Sequence, residues 1–183
     1  MLIPEQRAAL LRVARESIQA ATRELPYAPK SDDPALRQSG AAFVTLTKHG
    51  ELRGCIGMVE AKEPLIECVA KMARAAALED YRFPPVRQSE VAELSIDISV
   101  LTPAQRVTEI DEIEIGKHGL IIQDGPCRGL LLPQVATEWG WNCEQFLDQC
   151  CLKAGVPKGR WREGAEIYRF AAEVFGEEDQ LTP

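Results

Sequence analysis

Leu52-Arg53-Gly54-Cys55-Ile56-Gly57, preceded by His49-Gly50, is the stretch from which the rest of the chain can be ordered. It reads as a short, glycine-punctuated β-strand that carries one thiol beside one guanidinium. Strand side chains alternate faces, so Leu52, Ile56 and Met58 are expected on one face and Arg53 and Cys55 on the other, about 7 Å apart along the rise. The apolar face is expected to enter a core and leave the other free. A neighbouring arginine favours thiolate over thiol, and the thiolate is both nucleophile and metal ligand.

The stretch has an echo downstream. Aligned on Arg-Gly, Gly50-Glu51-Leu52-Arg53-Gly54-Cys55 matches Gly125-Pro126-Cys127-Arg128-Gly129-Leu130, and β-rich runs precede the two copies, Phe43 to Thr47 and Leu120 to Gln123. Both read as strand, tight glycine turn, strand. A helical pattern follows each, Pro64 to Ala77 and Asn142 to Ala154. The pattern fits a diverged duplication, although short glycine-centred matches also arise by chance. Arg-Gly recurs and is a candidate for architecture, whereas Cys55 gives way to Leu130 and is peculiar to the first copy.

The other elements follow from periodicity. Leu11, Ala14, Ile18 and Ala21 lie at helical spacing over Pro4 to Thr22, which opens on a proline suited to a first turn. Pro26 to Gly40 holds three prolines and Ser31-Asp32-Asp33, and is expected to be a long surface loop. Ser95 to Val100 alternates strictly and predicts a strand with Asp97 and Ser99 away from the core. Glu166 to Phe175 predicts a closing strand, and the acidic tail from Glu177 is expected to fray.

Composition narrows the classes. The 183 residues suffice for one core or two small subdomains. The net charge of -7 removes the general attraction behind non-specific nucleic-acid binding. Lys153, Lys158, Arg160 and Arg162 form a local basic cluster, for which a solvated connection flanking Trp161 is the favoured account. No apolar run spans a bilayer and no signal peptide opens the chain, so a cytoplasmic location is expected. The six cysteines are expected to be reduced, and core filling is favoured for Cys68, Cys143 and Cys150. Their spacing lacks the pairing of a zinc site, and His49 and His118 fall beside glycines at expected turns.

A second cluster, Glu79-Asp80-Tyr81-Arg82-Phe83-Pro84-Pro85-Val86, has tandem prolines that force extended backbone. Asp80 and Arg82 either form an ion pair tying down a loop or bring a carboxylate and a guanidinium toward Arg53 and Cys55 as an anion-recognising pocket.

With Gly40 to Leu46, Leu52 to Gly57, Asp80 to Pro85, Ser99 to Pro103, Leu131 to Ala136 and Cys150 to Gly155 in this order, the chain resembles the AMMECR domain family, over nearly all of residues 5 to 176. The resemblance implies an α+β fold with a mainly antiparallel, barrel-like sheet, helices, and two diverged strand-strand-helix repeats. A single domain is expected over 1–183, its repeats at about 40–103 and 104–176, with two subdomains as the alternative. Prokaryotic relatives carry the name protein A of the AmmeMemoRadiSam system, after a gene association with a Memo-type protein and a radical SAM enzyme.

Two functions stay open. In one, Cys55 is a nucleophile, redox thiol or modification acceptor, with Arg53 and Asp80 as catalytic partners and Gly54, Gly57, Arg82 and Gln134 contacting substrate. Neither histidine is obviously placed as a base, so catalysis would need one from Asp80, Glu90 or Glu93, or a thiolate stabilised by arginine alone. In the other, the domain is an accessory that docks a Memo-type protein or the radical SAM enzyme through the Leu52–Gly57 surface, with Trp139, Trp141 and Trp161 as candidate contacts. The chain names no cofactor for either reading, and no metal site of its own is expected.

Overall fold

His49 and Gly50 turn the chain with φ of 53° and 82°, the pair of left-handed residues that a two-residue hairpin of matching twist needs. The turn joins β1 (Ser39–Lys48) to β2 (Glu51–Gly57) in an antiparallel hairpin. This is a computed structural model, and it describes residues 1–177. The chain divides into two compact units, Met1–Leu101 with the segment from Glu173, and Thr102–Ala172.

In the first unit α1 (Pro4–Ala21) is followed by a loop, the single turn α2 (Pro34–Arg37) and the hairpin. The expected long loop is therefore interrupted. Asp33 caps α2 by accepting the Ala35 N–H at 2.8 Å, and Pro34 occupies its first position, so one helical turn forms despite three prolines nearby. Next come β3 (Glu63–Pro64), α3 (Leu65–Leu78) and β4 (Leu94–Leu101). The sheet order is β2-β1-β4, with β1 paired antiparallel to both neighbours, so β2 is an edge strand. Val44, Leu46, Ile96 and Ile98 bury one face of this sheet against Leu10, Ala14 and Ile18 of α1 and Cys68, Val69, Ala73 and Ala76 of α3.

The second unit repeats the scheme. β5 (Gln105–Arg106) precedes the hairpin of β6 (His118–Asp124) and β7 (Cys127–Leu131). Then follow α4 (Pro133–Glu138), α5 (Cys143–Lys153) and β8 (Glu166–Gly176), which gives residues 166–172 to this unit and its end to the first. β6 pairs with β7 and β8 as β1 pairs with β2 and β4. The α+β class and the two strand-strand-helix repeats expected from the sequence are thus present, each closed by a further strand. His118 opens β6 and does not sit in the turn before it.

The glycine shared by the repeats has one job in both. A Cβ on Gly54 would lie 2.1 Å from the Ala76 carbonyl oxygen of α3, and one on Gly129 would lie 2.2 Å from the Ala154 nitrogen at the end of α5. Each hairpin rests its second strand directly on the following helix, a contact open only to a residue without a side chain.

Cys68 and Cys150 are buried as expected, but Cys143 is only half-buried at the edge of the second core. The tail begins differently from the sequence reading. Glu177 is held by the Arg15 guanidinium and accepts the Ile96 N–H at 3.0 Å, so it is anchored, and the rest of the acidic tail lies outside the described residues.

Candidate functional site

Pairing within the first hairpin explains how its motif is displayed. From the turn the register runs Lys48–Glu51 and Thr47–Leu52, then shifts, so that Leu46 faces Gly54, Thr45 faces Cys55 and Val44 faces Ile56. Arg53 is the extra residue of a β-bulge. Without the bulge Arg53 would oppose Leu46, whose side chain is in the core, and an arginine would be driven into apolar packing at high cost. The bulge also corrects the expected faces. Leu52 lies on the side of Cys55 and is 44% exposed, while Ile56 packs toward the core. The second hairpin has no such shift: Gln123 faces Arg128 and Ile122 faces Gly129 in continuous register.

Freed by the bulge, Arg53 donates from Nη1 to the Pro84 carbonyl at 2.9 Å and from Nη2 to Glu90 at 3.2 Å. Its side chain is 13% exposed. Glu90 also accepts the Arg87 N–H at 3.0 Å, and Lys48 Nζ lies 3.4 Å from it. The Arg87 N–H, followed by the Arg53 hydrogen bond, lowers the Glu90 pKa to about 2.

Asp80, one residue past the C-cap of α3, is buried at 4% exposure. Its Oδ2 accepts the Cys55 N–H at 2.8 Å and an Arg82 Nη2 hydrogen at 2.7 Å, and its Oδ1 accepts from Arg82 Nε at 2.9 Å. Arg82 Nη2 also donates to the Cys55 carbonyl at 3.3 Å. The carboxylate and guanidinium together satisfy both backbone groups of Cys55 on the open edge of β2, where another strand would otherwise pair. Hydrogen bonding from Arg82 holds the Asp80 carboxyl well below the usual carboxylate range.

The Cys55 thiol is half-buried and accepts a hydrogen bond from the Thr45 hydroxyl at 3.2 Å. Across β1, Thr45 also faces Asp97 of β4, so thiol, hydroxyl and carboxylate residues form one row on the face away from the core. Gly57 lies under the Phe43 ring, which a Cβ would meet at 2.1 Å.

The structure thus brings Asp80 and Arg82 to Cys55, through its backbone. It gives Arg53 to Glu90 and Pro84. The candidate bases are engaged: Asp80 by Arg82, Glu90 by Arg53, and Glu93 by Lys48 at 3.3 Å and His49 at 2.9 Å. Gln134 belongs to the second unit, exposed in the first turn of α4. Sequence reasoning missed Thr45, Lys48 and Arg87, for which only the hairpin register and the turn at Gln88–Glu93 provide a signal. Among the described residues no group of three His, Cys, Asp or Glu side chains could hold a metal ion.

An exposed surface surrounds these contacts. Tyr81 is 95% exposed, and Arg82 lies over the Phe83 ring at 5.5 Å. In the second unit Trp139 is exposed and stacks on Trp141, which packs against the core. Trp161 donates to Asp148 at 2.8 Å and is covered by Arg162, while Arg160 and Arg162 pair with Asp124 and Glu144. Two of the four cations in the basic cluster, Arg160 and Arg162, are thus paired with carboxylates.

Fold and motif define a class, an α+β domain of two strand-strand-helix-strand repeats in which one hairpin carries a bulged Arg-Gly-Cys edge strand. The AMMECR1 family model matches residues 11–175, and the chain belongs to that family. A protein from Thermococcus onnurineus is 43% identical over 92% of this chain and 89% of its own length. Another from Methanothermobacter thermautotrophicus is 42% identical over 92% and 93%. The crystal structure of uncharacterized protein PH0010 from Pyrococcus horikoshii matches with a TM-score of 0.79 at 40% identity, covering 92% of this chain and 90% of that one.

Proposed function

We propose that this protein is a non-catalytic accessory domain, working in the cytoplasm, that docks a protein partner on the surface around Leu52, Tyr81 and Arg82. The observation that carries this reading is the contrast between satisfied polar groups and exposed apolar ones at the motif. Asp80 is spent on Cys55 and Arg82, and Arg53 on Glu90 and Pro84, yet Tyr81 and Leu52 remain exposed beside them. A tyrosine and an arginine around a small apolar anchor are the residue types that dominate interface energetics. The partner is a Memo-type protein or a radical SAM enzyme, following the association that the prokaryotic branch of the family carries. Co-purification with each candidate partner tests this, with Tyr81→Ser and Leu52→Ser expected to abolish capture. Recovery of neither partner, or capture that both variants leave intact, overturns it.

A second reading keeps Cys55 as a thiolate reagent or modification acceptor with Arg53 and Arg82 holding an anionic group. It is favoured by one observation: Cys55 is half-buried, as Cys127 and Cys143 are, and the Arg82 guanidinium donates to its carbonyl at 3.3 Å. Cys55→Ser separates the two, since docking survives the substitution and thiol chemistry does not.

A further inference from the structure

Arg53, aimed by its bulge, lines an open cleft of about 420 Å³ with Lys48, Pro84, Pro85, Arg87, Ser89 and Glu90. We infer that this cleft binds a small phosphate monoester, its dianionic head among Lys48, Arg53 and Arg87 and its body against the Pro84-Pro85 wall. Its lining does not include Leu52, Tyr81 or Arg82.

Three features of the cleft point to such a ligand. Three cations, Lys48, Arg53 and Arg87, outnumber the carboxylates beside them, Glu90 in the cleft and Glu93 at 3.3 Å from Lys48, and leave a local charge of about +1 in a chain whose net charge is -7. That positive excess attracts a phosphate monoester, which carries about two negative charges above its second pKa near 6. Donors also remain available. Among the described residues the Arg87 guanidinium and the Ser89 hydroxyl have no partner, and Arg53 commits three of its five N–H donors, two to Glu90 and one to Pro84. The ion contacts already present are long, with Lys48 Nζ and Arg53 Nε each 3.4 Å from Glu90. Charge-assisted bonds at their optimum are nearer 2.7–2.9 Å, so Glu90 orients these cations without saturating them.

The two repeats supply an independent comparison. The second hairpin seats its glycine at the same place with no bulge, and Arg128 there is exposed opposite Gln123, where the first hairpin has Leu52 opposite Thr47. The inserted residue in the first hairpin is thus dispensable for the repeat architecture, and what it adds is the placement of Arg53 in this cleft. Bulges commonly re-aim a side chain in this way.

The test is a titration of the full chain, at low salt, with phenyl phosphate, inorganic phosphate and sulfate, followed by amide and arginine Nε NMR shifts. Saturable shifts centred on Arg53 and residues 87–90 are expected, with phenyl phosphate binding more tightly than inorganic phosphate. Arg87→Ala, an exposed position whose substitution spares the fold, should weaken phenyl phosphate about tenfold. Glu90→Gln should tighten it, by removing the one negative charge in the cleft. Lowering the pH from 7.5 to 5.5 should weaken the two phosphates, which become monoanions, and leave sulfate unchanged. Shifts that rise linearly and spread over the whole surface, or an affinity that Arg87→Ala leaves intact, overturn the assignment. Tyr81→Ser leaves this titration unaltered, so failure here and failure of partner docking are read separately.

Discussion

Replacing Asp80 by Ala should show whether the carboxylate beneath the motif holds the edge strand in place. Asp80 accepts the Cys55 N–H at 2.8 Å with its side chain almost wholly buried, and a hydrogen bond to a charged group is worth about 1.5–3 kcal/mol. Its pairing with Arg82 adds less, about 0–1 kcal/mol, because the Arg82 side chain is 44% exposed. Asp80→Ala is therefore expected to destabilise the first unit by about 2–4 kcal/mol. Asp80→Asn keeps an acceptor for the Cys55 N–H and should cost about half of that. Urea unfolding gives the global value and amide hydrogen exchange the local one, with the Cys55 amide exchanging at least about tenfold faster in Asp80→Ala. The acid dependence has a definite sign. Arg82 holds the Asp80 pKa below its unfolded value, so the stabilisation is fully present above about pH 4–5 and fades as the pH falls toward the folded value. Wild type and Asp80→Asn should then converge on acidification. An Asp80→Ala protein within about 0.5 kcal/mol of wild type, with unchanged protection at Cys55, would refute the role assigned to this carboxylate.

Other outcomes follow from the same contacts. Gly54→Ala places a methyl 2.1 Å from a helix carbonyl and should cost about 2–3 kcal/mol or more in thermal or urea unfolding. Gly50→Ala, with φ of +82° and nothing within 4 Å, should cost only about 1 kcal/mol. Glu90, with a pKa of about 2, contributes stability that is lost between roughly pH 4.5 and 2, so Glu90→Gln should flatten the acid limb of a stability–pH curve in that window. Burial raises the Cys68 and Cys151 thiols and pushes Cys150 up to about 12, so these three should resist alkylation at pH 8 until the chain unfolds, while Cys55 reacts in the folded state.

Much of the frame was legible in the chain itself. Helical spacing from Pro4, strict alternation at Ser95–Val100 and the doubled Arg-Gly hairpins are local signals, and each corresponds to α1, β4 and the β1-β2 and β6-β7 pairs. Turn chemistry at His49-Gly50 fixed where the first hairpin reverses. The candidate site was only half legible. Asp80 and Arg82 were recognisable as an ion pair, yet that the pair clasps the backbone of Cys55 depends on where α3 ends against β2.

Sequence alone determined the helices, the strands and the doubled hairpins, because periodicity and turn preference act over a few neighbouring residues, and the α+β class followed from the family resemblance that its motifs carry. Tertiary structure decided the faces. Counting outward from the turn pairs Leu46 with Arg53, and the one-residue shift that pairs it with Gly54 instead keeps Arg53 out of the core and seats Gly54 on the Ala76 carbonyl. A one-residue shift exchanges the two faces of a strand, so Leu52 joined Cys55 on the outer side and Arg53 turned toward Glu90. Part of the energy that selects this register lies in a helix more than twenty residues away, a contact that no window of the sequence contains.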